Sequence, residues 1–121
     1  MVLTFIEDGY TVLLHLDGRW EPMFDCFQEF PPRRILLEIE NSDAAVAKKK
    51  LGHILCIKGN VSPNLLAFGS REEVEERCKR LIDDCAPGGG FVLSSGCEVP
   101  INARPENIRA MVKVAREYGR Y

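Results

Sequence analysis

His15 and Asp17 stand two residues apart at the end of a short apolar run, TVLLHL at 11–16, in a chain of 121 residues. In a strand, side chains at i and i+2 point to one face. An imidazole and a carboxylate placed this way can share one ion. Cys97 lies in a loop-like stretch between Gly96 and Glu98, and it becomes a third ligand if the sheet beneath it curves. Nitrogen, oxygen and sulfur donors of these types suit Zn²⁺, and three protein ligands with one open position is the catalytic arrangement. Spacing alone leaves plainer readings standing. A His in an HxD pattern is satisfied by local hydrogen bonds, and a lone Cys packs as a small apolar residue. Glu38 and Glu40 share a strand face, where one of them would serve as a general acid or as a hydrogen-bonding carboxylate beside a site. Gly88-Gly89-Gly90 is a flexible turn. It precedes a strand, whereas phosphate loops run from a strand through glycines into a helix.

Four β-forming runs must position these residues. They are 11–16, Ile35–Ile39 after Pro31-Pro32, Ile54–Lys58 between Gly52 and Gly59, and Phe91–Ser94 after the three glycines. Each is nearly continuous in apolar character, which predicts parallel strands covered on both faces. Helical patterns separate them. Pro22 opens one, with Met23, Phe24, Phe27 and Phe30 as its apolar side. Ser42 or Asp43 caps a second, stopped by Gly52. Ser70-Arg71-Glu72-Glu73 is a capping box for a third, in which Val74, Cys78, Leu81, Ile82 and Cys85 recur at helical spacing. Pro105 opens the last, with Ile108, Met111, Val112 and Ala115 on one face and Gly119 as its stop. Residues 1–8 form the end of another helix, closed by Gly9. Right-handed crossovers then build a parallel α/β sheet from four β/α units in a single domain, 1–121. Sites in such sheets lie at the carboxyl ends of the strands. Every strand here ends in polar residues: His15 to Gly18, Glu38 to Asn41, Lys58 to Asn60, and Ser94 to Glu98.

Composition narrows the partners. The net charge is −2, and Lys48-Lys49-Lys50 is the only basic run, which reads as a solvated helix face. Nucleic acid and anionic membranes need a basic excess, so neither is expected. No window approaches the ~20 apolar residues of a membrane span, and the N-terminus lacks the charged and apolar regions of a secretory signal. Five cysteines without a CxxC pair point to a reducing cytoplasm and mostly buried thiols.

The two strand ends carrying the candidate ligands also carry a resemblance. VLLHLDGRW at 12–20 and GGGFVLSSGCEVPINARPENIRAMV at 88–112 resemble the C-terminal half of the uroporphyrinogen decarboxylase superfamily, and GNVSP at 59–63 supports it. The resemblance runs over essentially the whole chain and implies a parallel (β/α)4 half of a TIM-type barrel. The superfamily holds two chemistries: cofactor-free decarboxylation of a tetrapyrrole, and methyl transfer between a corrinoid and a thiol or another acceptor with zinc. The sequence is more similar to the methyltransferase branch, which has a His-x-Cys pair after one strand and a Cys in the last strand's loop. His15 and Cys97 match, Asp17 stands where the middle Cys would be, and a true decarboxylase is expected to carry His in place of Cys97. The resemblance implies zinc on His15, Asp17 and Cys97, with Glu38 orienting His15 and Asn60 and Glu98 positioning substrate. It implies a cobamide as methyl donor or acceptor, and a corrinoid protein as partner. At this length the chain is expected to be half of a barrel, encoded as a short gene or cut from a longer protein. The exposed edges of such a half predict self-association or pairing with a separate N-terminal half barrel. The alternatives are a tetrapyrrole carboxy-lyase of the decarboxylase type and a non-catalytic half barrel that binds or assembles.

Overall fold

A computed structural model describes residues 1–119. The chain runs α1 (Val2–Glu7), β1 (Val12–Leu16), a 3-10 segment (Glu21–Glu29), β2 (Ile35–Ile39), α2 (Ala44–Leu51), β3 (Cys56–Val61), α3 (Pro63–Phe68), α4 (Arg71–Cys85), β4 (Phe91–Ser95) and α5 (Pro105–Glu117). The strands form one parallel sheet in the order β1-β2-β3-β4. Successive units add in one direction, as right-handed crossovers require. The architecture is α/β, four units of a TIM-type barrel.

The core lies between the sheet and the helices. Leu37, Ile39 and Ile57 are fully buried there, with Ala47 and Leu51 of α2 and Val74, Cys78 and Cys85 of α4. Burying each large aliphatic contributes about 1.5–3 kcal/mol. The helix starts are built as the sequence dictates. Asp43 caps α2, its side chain accepting from the Val46 amide at 3.0 Å. At α4 the Ser70 hydroxyl accepts from the Glu73 amide at 3.2 Å, and the Glu73 carboxylate accepts from the Ser70 amide at 2.7 Å.

The sheet is covered on one face only, which corrects the expectation of strands buried on both. Leu13 on β1 is 50% exposed and Val92 on β4 is 41% exposed. His15, Leu36, Glu38, Cys56 and Lys58 share that open side. This face would line a barrel's interior, so its apolar residues mark barrel strands without being buried by this chain. It is also not uniformly apolar, because His15, Glu38 and Lys58 lie level across three strands.

Three further differences have local causes. The helix opened by Pro22 is a 3-10 segment. Phe24 and Phe27 are buried one turn apart, a spacing that a 3-10 segment accommodates at three residues per turn. Strand β3 begins at Cys56 instead of Ile54, because the Ile54 and Leu55 amides both bond back to the Leu51 carbonyl, at 2.9 and 2.8 Å, and tighten the end of α2. Pro63 opens a short helix, α3, just past β3. The stop at Gly119 is as expected: α5 ends at Glu117, Tyr118 caps it, and Gly119 follows the cap.

Candidate metal centre

The strand register sets the floor of the site. His15 of β1 lies level with Glu38 of β2, and Glu38 level with Lys58 of β3. Glu38 uses one oxygen on each neighbour. Its Oε2 lies 3.2 Å from His15 Nδ1, and its Oε1 accepts from Lys58 Nζ at 2.7 Å. Burial alone would raise the Glu38 carboxyl, but the hydrogen bonds from Lys58 and His15 outweigh it and hold its pKa below the ordinary value. The hydrogen bond to Glu38 raises the His15 pKa against the opposing effect of burial, and Asp17 adds to the rise. With Nδ1 engaged, Nε2 is the nitrogen turned to the loops. It lies 2.9 Å from Asp17 Oδ1 and 3.8 Å from Cys97 Sγ.

The approach of Cys97 depends on curvature. Strands β1 and β4 are the two edges of the sheet, and three interstrand steps would hold flat edges roughly 14 Å apart. The bend of the sheet and the loop after β4 close that gap. One ligand atom each from His15, Asp17 and Cys97 lies within 4.8 Å of the others. The two separated sequence signals, HLD and GC, therefore meet at one point. The surrounding cleft, about 560 Å³, is also lined by Glu38, Lys58, Ser94, Glu98 and Met111.

The donor set fits Zn²⁺, with one imidazole nitrogen, one carboxylate oxygen, one thiol sulfur and room for a fourth ligand. A carboxylate on the far nitrogen of the imidazole is the usual way a ligating His is oriented, and Glu38 occupies that place. Glu98, which the resemblance implies positions substrate, lines this cleft. Asn60 is elsewhere. Its amide donates to the Glu40 carbonyl at 3.1 Å and the Ser42 carbonyl at 2.6 Å, and its Oδ1 accepts from Arg77 at 2.9 Å. It lines a second cleft of about 460 Å³, with Arg19, Glu21 and Asp84 among its walls. Glu40 also lies there, past the end of β2, and accepts from the Gly18 amide at 3.1 Å. In the sequence Lys58 is only a polar strand end. Its register with Glu38 gives it a place in the site.

The other thiols divide by burial. Cys78 and Cys85 are buried, and burial pushes both to about 11. Cys56 is half-buried on the open face, also raised by burial. Cys26 is exposed, an exception to the expectation of mostly buried thiols.

Comparison with known proteins places the chain in a family. The sequence profile described as uroporphyrinogen decarboxylase (URO-D) matches residues 2–118. The chain belongs to the uroporphyrinogen decarboxylase family. Among curated members of the family, a uroporphyrinogen decarboxylase of Trichodesmium erythraeum is 35% identical over 75 residues, covering 62% of this chain and 21% of that protein. One of Shewanella loihica is 28% identical over 75 residues, with the same coverage of 62% and 21%. Among solved structures, a methyltransferase from Methanosarcina mazei superposes with a TM-score of 0.79 at 22% identity, over 97% of this chain and 34% of that one. The chain thus spans about a fifth of the curated relatives and about a third of the methyltransferase. The superposition carries the fold: the strands hold the arrangement seen in about a third of a longer protein. Among the described residues, no helix is long and apolar enough to cross a membrane.

Proposed function

We propose that the chain is the C-terminal half of the barrel of a family protein of the zinc- and cobamide-dependent methyltransferase branch. It would act in methyl transfer between a corrinoid and a thiol or similar acceptor, and would be incomplete alone. The observation that carries this reading is the convergence of His15, Asp17 and Cys97 from opposite edges of the sheet. Zinc bound there would lower the pKa of a ligated acceptor thiol and stabilise its thiolate. The chain's own residues have separate tasks. His15, Asp17 and Cys97 hold the ion, and Glu38 fixes the imidazole through Nδ1. Lys58 balances the Glu38 charge, and Glu98 borders the space left for the acceptor. Asn60 is assigned no substrate contact in this reading, because both its amide hydrogens are already donated within the loops.

Metal analysis of protein purified without chelators tests the proposal. One equivalent of zinc is expected, lost in His15→Ala and Cys97→Ala variants. Zinc-free protein, with the same metal content in His15→Ala, would refute it. The names of the curated relatives favour a second reading, a tetrapyrrole carboxy-lyase. A visible-band shift on adding a porphyrin but none on adding a cobamide would support that reading, and a shift with neither would leave a half barrel that only assembles. The open sheet face, with Leu13 and Val92 exposed, supports a partner surface for a second copy or a separate N-terminal half. Light scattering that shows a clean monomer at micromolar concentration would count against self-association.

A further inference from the structure

The two loops that bring Asp17 and Cys97 together contact the same residue. Glu40 follows β2 directly. Its carboxylate accepts the amide of Gly18, the residue after Asp17, at 3.1 Å. Its backbone lies against Gly96, the residue before Cys97. A Cβ on Gly96 would come within 3.1 Å of the Glu40 carbonyl oxygen and 3.3 Å of its Cα. Both are backbone atoms, which yield little. The same Glu40 carbonyl accepts from Asn60, whose amide also reaches the Ser42 carbonyl and whose oxygen accepts from Arg77. This ties Glu40 to the end of β3 and, through Arg77, to α4.

The Asp17 loop is held at a second point. The Trp20 amide donates to the Ser42 hydroxyl at 2.8 Å, and the Trp20 indole donates to the Asp17 carbonyl at 2.7 Å. Glu40, Ser42 and Trp20 thus form a frame behind Asp17. None of them touches the space between the three candidate ligands. Gly18 adopts φ +79, a turn that aims its amide at Glu40 while Asp17 faces His15.

We propose that Glu40 is a positioning residue that sets the spacing of the metal ligands. Its side chain acts on Asp17 through Gly18, and its backbone acts on Cys97 through the close approach of Gly96. The inference rests on the metal-centre reading for its consequence, and on hydrogen bonds within the metal-free chain for its geometry. It also gives Asn60 a role as the brace that holds Glu40.

Cobalt(II) is the probe. Titration of the whole chain is followed by the visible bands of the ion, including its thiolate charge-transfer band. Glu40→Ala is expected to weaken Co²⁺ binding by about tenfold, the lower end of what loss of an outer partner costs. Glu40→Gln keeps an oxygen for the Gly18 amide and is expected to stay within about threefold of wild type on the same scale. In an Asp17→Ala background the Glu40→Ala effect should vanish, since the side chain acts only through Asp17. Gly96→Ala should reduce the thiolate band, which reports Cys97.

Unchanged affinity in Glu40→Ala, or a loss that persists without Asp17, overturns the proposal for the side chain. An unchanged thiolate band in a folded Gly96→Ala overturns it for the backbone. If the wild-type chain takes up no Co²⁺, the metal-centre reading fails. The metal-free protein then decides the positioning role. The single tryptophan gives one indole N–H resonance, which reports its bond to the Asp17 carbonyl. Displacement of that resonance and of the Gly18 amide in Glu40→Ala, restored in Glu40→Gln, supports the role. Coincidence of all three spectra overturns it.

Discussion

Replacing Glu38 by Gln isolates the line of three side chains beneath the proposed ligands. The two carboxylate oxygens of Glu38 both accept, one from Lys58 Nζ at 2.7 Å and one facing His15 Nδ1 at 3.2 Å. Gln has the same shape but only one acceptor. Whichever way its amide turns, one neighbour loses its partner and meets an N–H group. If the oxygen turns to Lys58, His15 loses the group that orients it. Outer partners of this kind are worth about 10–100-fold in metal affinity, and the tenfold end corresponds to about 1.4 kcal/mol. If the oxygen turns to His15, Lys58 is left on a half-buried face without its counter-charge. Breaking a fully buried pair costs about 3–5 kcal/mol, and the partial exposure of Lys58 reduces that to about 1–2 kcal/mol. Zinc affinity is read by competition with a chromophoric chelator, and stability by urea unfolding of the metal-free protein. The double variant Glu38→Gln, Lys58→Met separates the two tasks. With no cation to satisfy, the amide oxygen is free for His15, so the double variant should regain both affinity and stability relative to Glu38→Gln. A Glu38→Gln protein with zinc affinity within twofold of wild type and an unchanged urea midpoint would refute the reasoning.

Other expectations follow from single features. Cys97→Ser should abolish the cobalt–thiolate band while leaving the unfolding midpoint of the metal-free chain near wild type, since Cys97 is a loop residue with a half-exposed side chain. Iodoacetamide at pH 8 should label Cys26 in the native protein and spare Cys78 and Cys85. These two are buried and titrate at about 11, so few thiolates form below that pH. Labelling of all three at equal rates would contradict the packing of α4. Ser70→Ala removes the acceptor for the Glu73 amide and should cost about 1 kcal/mol in urea unfolding. Leu37→Ala, at a fully buried position in the centre of β2, should cost about 2–5 kcal/mol.

Strand β2 and the capping box at Ser70 are legible in the amino-acid sequence because their signals are local: breakers, apolar runs and a cap whose donors lie three residues away. The start of β3 is not, because Ile54 and Leu55 look like strand residues but spend their amides on Leu51. The 3-10 segment hides in the same way, since apolar residues three apart suit either helix. Within the site, His15 and Asp17 are legible as a pair from strand alternation, and Cys97 from its glycine neighbour. Their meeting is not, because it depends on sheet curvature, which no local pattern encodes. Asn60 stands at a polar strand end where the resemblance implies a substrate contact, and only its hydrogen bonds show it bracing the loops. Lys58 and Glu40 need the register and the far sides of two loops to acquire roles.

The candidate ligands on opposite edges have a consequence for how the chain comes apart. Four β/α units in a row behave like a short linear array in which each unit contacts mainly its neighbours. The end units have one neighbour each and should fray first. His15 belongs to the first strand and Cys97 follows the last, 82 positions further on. A bridge between them through a bound ion would turn the array into a ring. Neither end can then peel away without breaking the closure, and the unfolded chain is tied into a loop of that length. Loop-closure entropy for such a tie is worth at most about 4–5 kcal/mol. Amide exchange would show the change as a shift in pattern: protection graded from the centre outwards in the metal-free chain, and levelled across all four strands once the edges are joined.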